Sequence, residues 1–455
     1  MRSVINNLKE HRQTWLMTVV LAVLYWVFAH KLDRSNFIGL ISLMVAMFVL
    51  TYWLIKIWGR EFYLLLALGI GFRLLFLMAM PNLSQDFYRF IWDGRLILQG
   101  VNPYLQTPTA YLEAGNLVVS QAAELASGMG ALNAGNYSNY PPLNQICFAL
   151  AALLGGSSIL GPVIVMRLLT LLADVGILWF GRKLLIRMKL DDRTIFWYFL
   201  NPFILVEMTG NLHFESVMIF FLVLSFYQLS KGKWILSAIL IGLSISVKLI
   251  PLIFLPLFLR YFSRKPNWKT GFYRFCGFVL IALLTVLASF LPFLSDDFLA
   301  NFSQSIGLWF QKFEFNASIY YIIRWIGYQT IGWNIIADVG RILPLIVLAF
   351  VMFMSLYREK KTLEQLFVSM LWCISFYFLL STTVHPWYIA TPLLLGVFTR
   401  FRFTVAWSLL VMLSYSAYTA NGFDENLELV ALEYILGIVF VVRELQGKTL
   451  TPAKH

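Results

Sequence analysis

The chain has 455 residues, 60% of them hydrophobic and 13% charged, where soluble domains carry about 25% charged residues. Such a composition excludes an ordinary water-soluble domain, and the net charge of +12 does not mark a nucleic-acid binder. Its Lys and Arg fall in short segments between apolar runs, where they act as topology signals.

Lipid offers no hydrogen bonds, so every crossing segment has to satisfy its own backbone, which long apolar runs do as helices. Runs at 14–30, 37–57, 61–80, 160–181, 194–210, 214–230, 234–249, 250–262, 272–293, 338–356, 364–381, 387–399, 403–420 and 428–443 stand out. At roughly 20 residues per crossing they predict an all-α, polytopic transmembrane helical bundle of about fourteen spans. The first run follows Lys9 and Arg12 like a signal peptide, but it has no small-residue cleavage site and reads as a retained helix. A further run, 142–152, closes at Gly155 and Gly156; it is too short to span and reads as re-entrant. Cys147, Cys276 and Cys373 lie inside apolar runs without CxxC spacing, as packing residues do.

Basic residues are retained on the cytoplasmic side. With the N-terminus inside, that side collects Arg2, Lys9 and Arg12, Lys56 and Arg60, and the cluster at 182–193. It also takes Lys231 and Lys233, the cluster at 260–274, Arg358, Lys360 and Lys361, Arg400 and Arg402, then Arg443, Lys448 and Lys454. The outer segments keep only Lys31, Arg34, Arg89, Arg95, Lys312 and Arg324. Both termini are then cytoplasmic, and two long connections, 81–141 and 294–337, lie outside. Long connections in a compact protein are more often functional than accidental. Helical pieces near 86–98 and 297–310 carry an apolar face suited to the membrane surface, with Trp92, Trp309, Trp325 and Trp333 as aromatic anchors.

The first outer segment opens SQDFYRFIWDGRLILQGVNPY. On a helix Asp86, Arg89 and Asp93 share one face, and Asp86 sits where the helix dipole favours a carboxylate. Either Asp86 caps the helix and Asp93 pairs with Arg89, or the group handles substrate. Three more polar sets fall at outer ends of runs: His213 and Glu215 in GNLHFES, Lys248 in SVKLIPLIFLP, and His385 in TTVHPWY. Each also has a plain reading, as a hydrated turn, a snorkelling lysine and a helix-entry turn. Arg73, Arg167, Asp174 and Glu207 lie deeper and read as buried pairs that fix packing. No GxxxxGKS/T loop or HExxH motif occurs, and no cytoplasmic segment is large enough for a nucleotide-sugar transferase.

From about Gly71 onward these strings resemble, in order, the GT-C superfamily of polyprenyl-phosphate-sugar-dependent membrane glycosyltransferases. The carriers are SQDFYRFIWDGRLILQGVNPY, YPPLNQ at 140–145, NPFILVEMTGNLHFES, VKLIPLIFLP, FNASIYY and TTVHPWY. Within that superfamily the chain is most similar to bacterial polyprenol-phosphate-mannose mannosyltransferases and to the enzyme adding the first mannose to glycosylphosphatidylinositol. It departs from the pattern in having two spans before Glu61, so residues 1–60 read as a helix pair added to a core at 61–455, and in carrying a lone Asp86 instead of an adjacent acidic pair.

The resemblance implies inverting transfer of a hexose, with mannose expected, from a polyprenyl-phosphate donor to a hydroxyl of a glycolipid, glycan or protein acceptor. It places the enzyme in a bacterial inner membrane with its site on the extracytoplasmic face, in glycan biosynthesis. Asp86 matches the general base; Lys248, helped by His385 or His213, would meet the phosphate; Asp93 and Glu215 would orient sugar hydroxyls, and Arg89 would also bind substrate. A divalent cation is not required, though Asp86, Glu215 and His213 could bind one if brought together. The rival readings are a lipid or solute transporter or flippase, for which no repeated halves are visible, and an outer-face polysaccharide ligase or polymerase.

Overall fold

The apolar runs do form helices, and the places where they break are set by Pro, Gly and buried polar groups. The computed structural model describes residues 12–115, 118–263, 267–359 and 361–447. Arg2, Lys9, Arg264, Lys265, Lys360, Lys448 and Lys454, used above for orientation, lie outside the described residues. The architecture is nearly all helical; the strands among the described residues are a two-residue hairpin, Tyr418–Thr419 with Gly422–Phe423.

Among the described residues, six helices are long and apolar enough to cross a membrane: Arg12–Lys31, Phe37–Trp58, Leu160–Met188, Trp268–Phe293, Ile336–Tyr357 and Leu363–Leu380. Pro202–Gly210 and Glu215–Ser230, bent by 114°, make a seventh if taken together. This differs from about fourteen spans because hydropathy counts runs, whereas the helices holding the others are shorter. Trp234–Val247, for instance, has 14 residues, a rise of about 21 Å against a hydrocarbon core of about 30 Å. Ile250–Leu257 is 3-10 helical with prolines at both ends.

Broken helices leave backbone carbonyls that lipid cannot satisfy, and a buried arginine collects them. Arg167 donates to the carbonyls of Thr209 (2.9 Å), Gly210 (3.0 Å), Leu77 (2.9 Å), Ala79 (2.7 Å) and Phe76. It thereby ties the end of the π-helical turn Leu205–Gly210 to the segment entering the first outer connection. Arg73 pairs with Asp174 at 2.9 Å, both side chains fully buried, and also donates to the Phe199 carbonyl at 2.8 Å. Ser216 donates to the same aspartate at 2.6 Å.

The first outer connection is not a helix lying on lipid. Asp86–Leu98 is buried along most of its length, including Phe87, Phe90, Ile91, Trp92, Arg89, Asp93 and Arg95. The reason is close packing against Pro142–Gly155: a Cβ at Gly94 would stand 2.2 Å from the Phe148 carbonyl oxygen. Trp92, expected as a membrane anchor, is 1% exposed and packs edge-on with Tyr111, whereas Trp325 and Trp333 are each 63% exposed. The N-terminal pair grips the same region. Asn82 donates to the carbonyls of Phe28 (2.9 Å) and Leu32 (3.1 Å), and Arg34 to that of Leu83 (3.0 Å).

Candidate functional site

Asp86 is the first residue of its helix, where unpaired amides and the dipole favour an anion. It does not cap the helix: Gln85 holds the N-cap position and makes no side-chain cap bond. The approach to Asp86 is pinned on both sides, the Leu83 amide donating to Asn211 Oδ1 at 2.8 Å and Gln85 Nε2 to the Met129 carbonyl at 2.9 Å. Asp86 Oδ1 accepts a 3.1 Å bond from Asn133 Nδ2, and among the described residues no protein donor reaches Oδ2. Burial raises its pKa above the ordinary 3.8; Lys248, the Asn133 bond and Arg34 act in the opposite direction.

Asp86 opens onto a cavity of about 990 Å³ whose walls differ in chemistry. One end is polar, with Gln85, Asn133, Asn136 and Asn139, and with Arg34 and Lys248 as its cations. The other is apolar, running along Leu249, Ile250, Leu252 and Ile253 to Pro344, Val347 and Leu348. Leu252, Leu283 and Leu348 line this end and are also 43%, 38% and 54% exposed, so the apolar end communicates with the protein's outer, apolar surface.

Lys248 and His385 line the same cavity as Asp86. Lys248 sits in extended conformation just past the Trp234–Val247 helix. Its ammonium forms a short ion pair with Glu215, whose side chain is fully buried while that of Lys248 is 16% exposed. His385 precedes Pro386 on a segment held by a strand-like bridge, Phe315 N donating to the Thr382 carbonyl at 3.1 Å and Val384 N to that of Phe315 at 2.8 Å. Burial and the Lys248 charge push the His385 imidazole down to about 3.

The remaining expected residues stand behind this wall. His213 does not line the cavity; it stacks on Trp387 at 3.7 Å, and His385 stacks on the same indole at 4.4 Å. Two imidazoles cannot share one indole face at those distances, so Trp387 is sandwiched between them. His213 Nε2 lies 3.5 Å from Glu207 Oε2, and Glu207 accepts a 2.8 Å bond from Tyr415. Glu215 reaches the site through Lys248.

Arg89 and Asp93, expected to touch substrate, do not line the cavity. They pair with each other at 2.8 Å, with side chains 2% and 0% exposed. Arg89 donates to the carbonyls of Asn133 and Asn136 at 2.8 and 2.9 Å; Asp93 accepts from Ser138 at 2.5 Å and Gln145 at 2.9 Å. Both therefore fold the segment that carries Asn133 against the Asp86 helix. Among the described residues, no group of three His, Cys, Asp or Glu side chains is arranged to hold a metal ion. The trio Asp86, Glu215 and His213 is accordingly not gathered.

Arg34, Asn133 and Trp387 also line the cavity, and sequence reasoning did not single them out for it. Arg34 was visible as one of the few cations left on the outer side. Trp387 stood in TTVHPWY as an apparent anchor, and nothing in an Asn-rich turn singled out Asn133.

A family model described as alpha-(1->6)-mannopyranosyltransferase, N-terminal domain, matches residues 7–264 and so takes in the N-terminal helix pair. The chain is similar to Alpha-(1->6)-mannopyranosyltransferase A of Mycobacterium tuberculosis, 21% identical over 333 residues, which cover 70% of this chain and 61% of that protein. It is also similar to Alpha-(1->6)-mannopyranosyltransferase B of Corynebacterium glutamicum, 26% identical over 147 residues, covering 32% of this chain and 23% of that protein. The chain thus spans less than two thirds of the length of these curated relatives.

Proposed function

The chain belongs to the alpha-(1->6)-mannopyranosyltransferase family, and from that premise we propose that it moves a mannosyl group from polyprenyl-phosphate mannose to an acceptor hydroxyl at the extracytoplasmic membrane face. The observation carrying this reading is the single cavity in which a half-buried carboxylate and two cations stand at one end of an apolar passage open to the surface. A lipid-linked sugar has that same division: an isoprenoid tail, one phosphate and a polyol.

In the reaction the acceptor oxygen attacks the anomeric carbon as the bond from that carbon to the phosphate oxygen breaks. Asp86 takes the acceptor proton through Oδ2, since Oδ1 is engaged by Asn133. A carboxylate with a raised pKa is a better base than an ordinary one. The electron pair of the breaking bond stays on the phosphate, whose growing charge Lys248 meets. One base and one displacement give inversion, with no second carboxylate acting as nucleophile.

The amides of Gln85, Asn133 and Asn136 spend donors on the Met129 carbonyl, on Asp86 and on the Leu132 carbonyl. Their carbonyl oxygens remain to receive sugar hydroxyls, which favours a glycan or glycolipid acceptor. The test is Asp86→Asn, assayed in detergent with polyprenyl-phosphate mannose and a mannose-terminated acceptor. Loss of transfer by about 10²- to 10⁴-fold is expected; wild-type turnover in that variant would sink the assignment.

A further inference from the structure

The cavity's charges are unevenly matched. Lys248 is tied to the fully buried Glu215 carboxylate, so much of its charge is answered within the protein. Arg34 makes no ion pair among the described residues: it donates to the Leu83 carbonyl at 3.0 Å and lies over the face of Tyr418, 3.5 Å from the guanidinium carbon, while the Asp33 and Asp86 carboxylates act on it only through space. Stacking on an aromatic fixes the plane of a guanidinium while leaving its edges free. Of five N–H donors, one is spent on Leu83. The side chain lines the cavity, and Leu83 stands three residues before Asp86, so the cation and the carboxylate are referred to the same short segment.

We propose that Arg34, on the turn joining the two N-terminal helices, binds the donor's phosphate, and that this helix pair is thereby part of the substrate site and not an addition beside it. The inference rests on the polyprenyl-phosphate donor argued above. The turn is built to hold such a group still. Asp33 Oδ1 accepts from the Ser35 amide at 2.8 Å, Asn36 caps the second helix through Gly39 N at 2.9 Å, and Asn82 locks onto the Phe28 and Leu32 carbonyls.

The chemistry gives Arg34 a differential role. The donor is a phosphodiester with one negative charge. When the acceptor oxygen bonds to the anomeric carbon and the sugar–phosphate bond breaks, the electron pair stays on phosphate, whose charge grows toward about −1.5 to −2. A planar fork that can make paired bonds to phosphate then holds the product, and the transition state leading to it, more tightly than the donor.

Farnesyl phosphate binding to the purified full chain in detergent, measured by calorimetry with farnesol and inorganic phosphate as controls, tests this. Arg34→Gln should weaken farnesyl phosphate about 10- to 100-fold, with Arg34→Lys between it and wild type. In turnover, inhibition by polyprenyl phosphate should weaken more than the donor KM rises, while the acceptor KM stays as in wild type. A general packing defect would shift the acceptor KM too, and that outcome counts against the proposal. If wild type binds farnesyl phosphate and Arg34→Gln binds it equally well, Arg34 is not the phosphate ligand, though the donor reading survives. If wild type binds no isoprenyl phosphate, the donor reading falls and this inference with it.

Discussion

Lys248 and Glu215 offer a perturbation in which stability and catalysis separate. Lys248→Met fills similar volume but leaves Glu215, whose side chain is fully buried, with a bare charge. Breaking a buried pair from one side costs about 3–5 kcal/mol, so the variant should inactivate at a much lower temperature. Adding Glu215→Gln removes the stranded charge and should return most of that stability, since replacing both members of a buried pair is often near neutral. Catalysis should not return with it. Both variants lack the ammonium proposed to meet the leaving phosphate, so a loss of about 10²- to 10³-fold in transfer is expected, with the donor KM raised and the acceptor KM unchanged. Glu215→Gln alone frees the ammonium from its internal partner and should make polyprenyl phosphate a stronger product inhibitor. Thermal inactivation in detergent and steady-state transfer read the two halves separately. A double variant that recovers turnover along with stability would refute the reasoning, because Lys248 would then serve only to neutralise Glu215.

Asp86→Asn should raise the thermal midpoint at pH 7 even as it removes transfer. The folded carboxyl has a pKa above its unfolded value through burial, so the fold favours the protonated form, and the stability this contributes is lost as pH rises through the folded pKa; an amide has no such loss. A midpoint that falls at pH 7 would contradict this. The acid limb of kcat/KM should lie above the ordinary carboxylate value of 3.8, since the proposed mechanism needs Asp86 ionised. Asn133→Leu removes a bond that favours the ionised form and should move that limb further up; an unmoved limb would mean that another group titrates. Gly94→Ala places a methyl 2.2 Å from the Phe148 carbonyl oxygen, backbone that cannot turn aside. About 1–3 kcal/mol of destabilisation is expected, measured by thermal inactivation, with reduced transfer because Asp86 begins the displaced helix.

Composition made the lipid environment plain, because no soluble core needs so much apolar surface. It could not set the helix lengths. Apolar runs such as 250–262 look continuous to a hydropathy window, but Pro251 and Pro256 turn that stretch into a 3-10 helix. The run through 194–230 is interrupted by a π-helical turn whose carbonyls Arg167 takes up. That arginine was readable as a buried structural charge, yet its partners are backbone atoms far along the chain, to which side-chain pattern is blind.

Residue type and helical spacing point to different parts of the site. Asp86 stands out by its match to the family's base position, and Lys248 and His385 because charged or titratable groups at the ends of apolar runs are costly unless used; all three line one cavity. Arg89 and Asp93 were added because a helical wheel puts them on the face of Asp86. Their separation of four residues is equally the spacing of an ion pair, and in the structure the two are buried and paired with each other, away from the cavity lining. Arg34 shows the converse. Charge counting treated it as a residue left over on the outer side, yet its partners are a carbonyl and an aromatic face, neither of which cancels its charge. A cation that the protein holds in place without an ion pair is available to an anionic ligand, and in this cavity it shares the lining with the carboxylate proposed as the base.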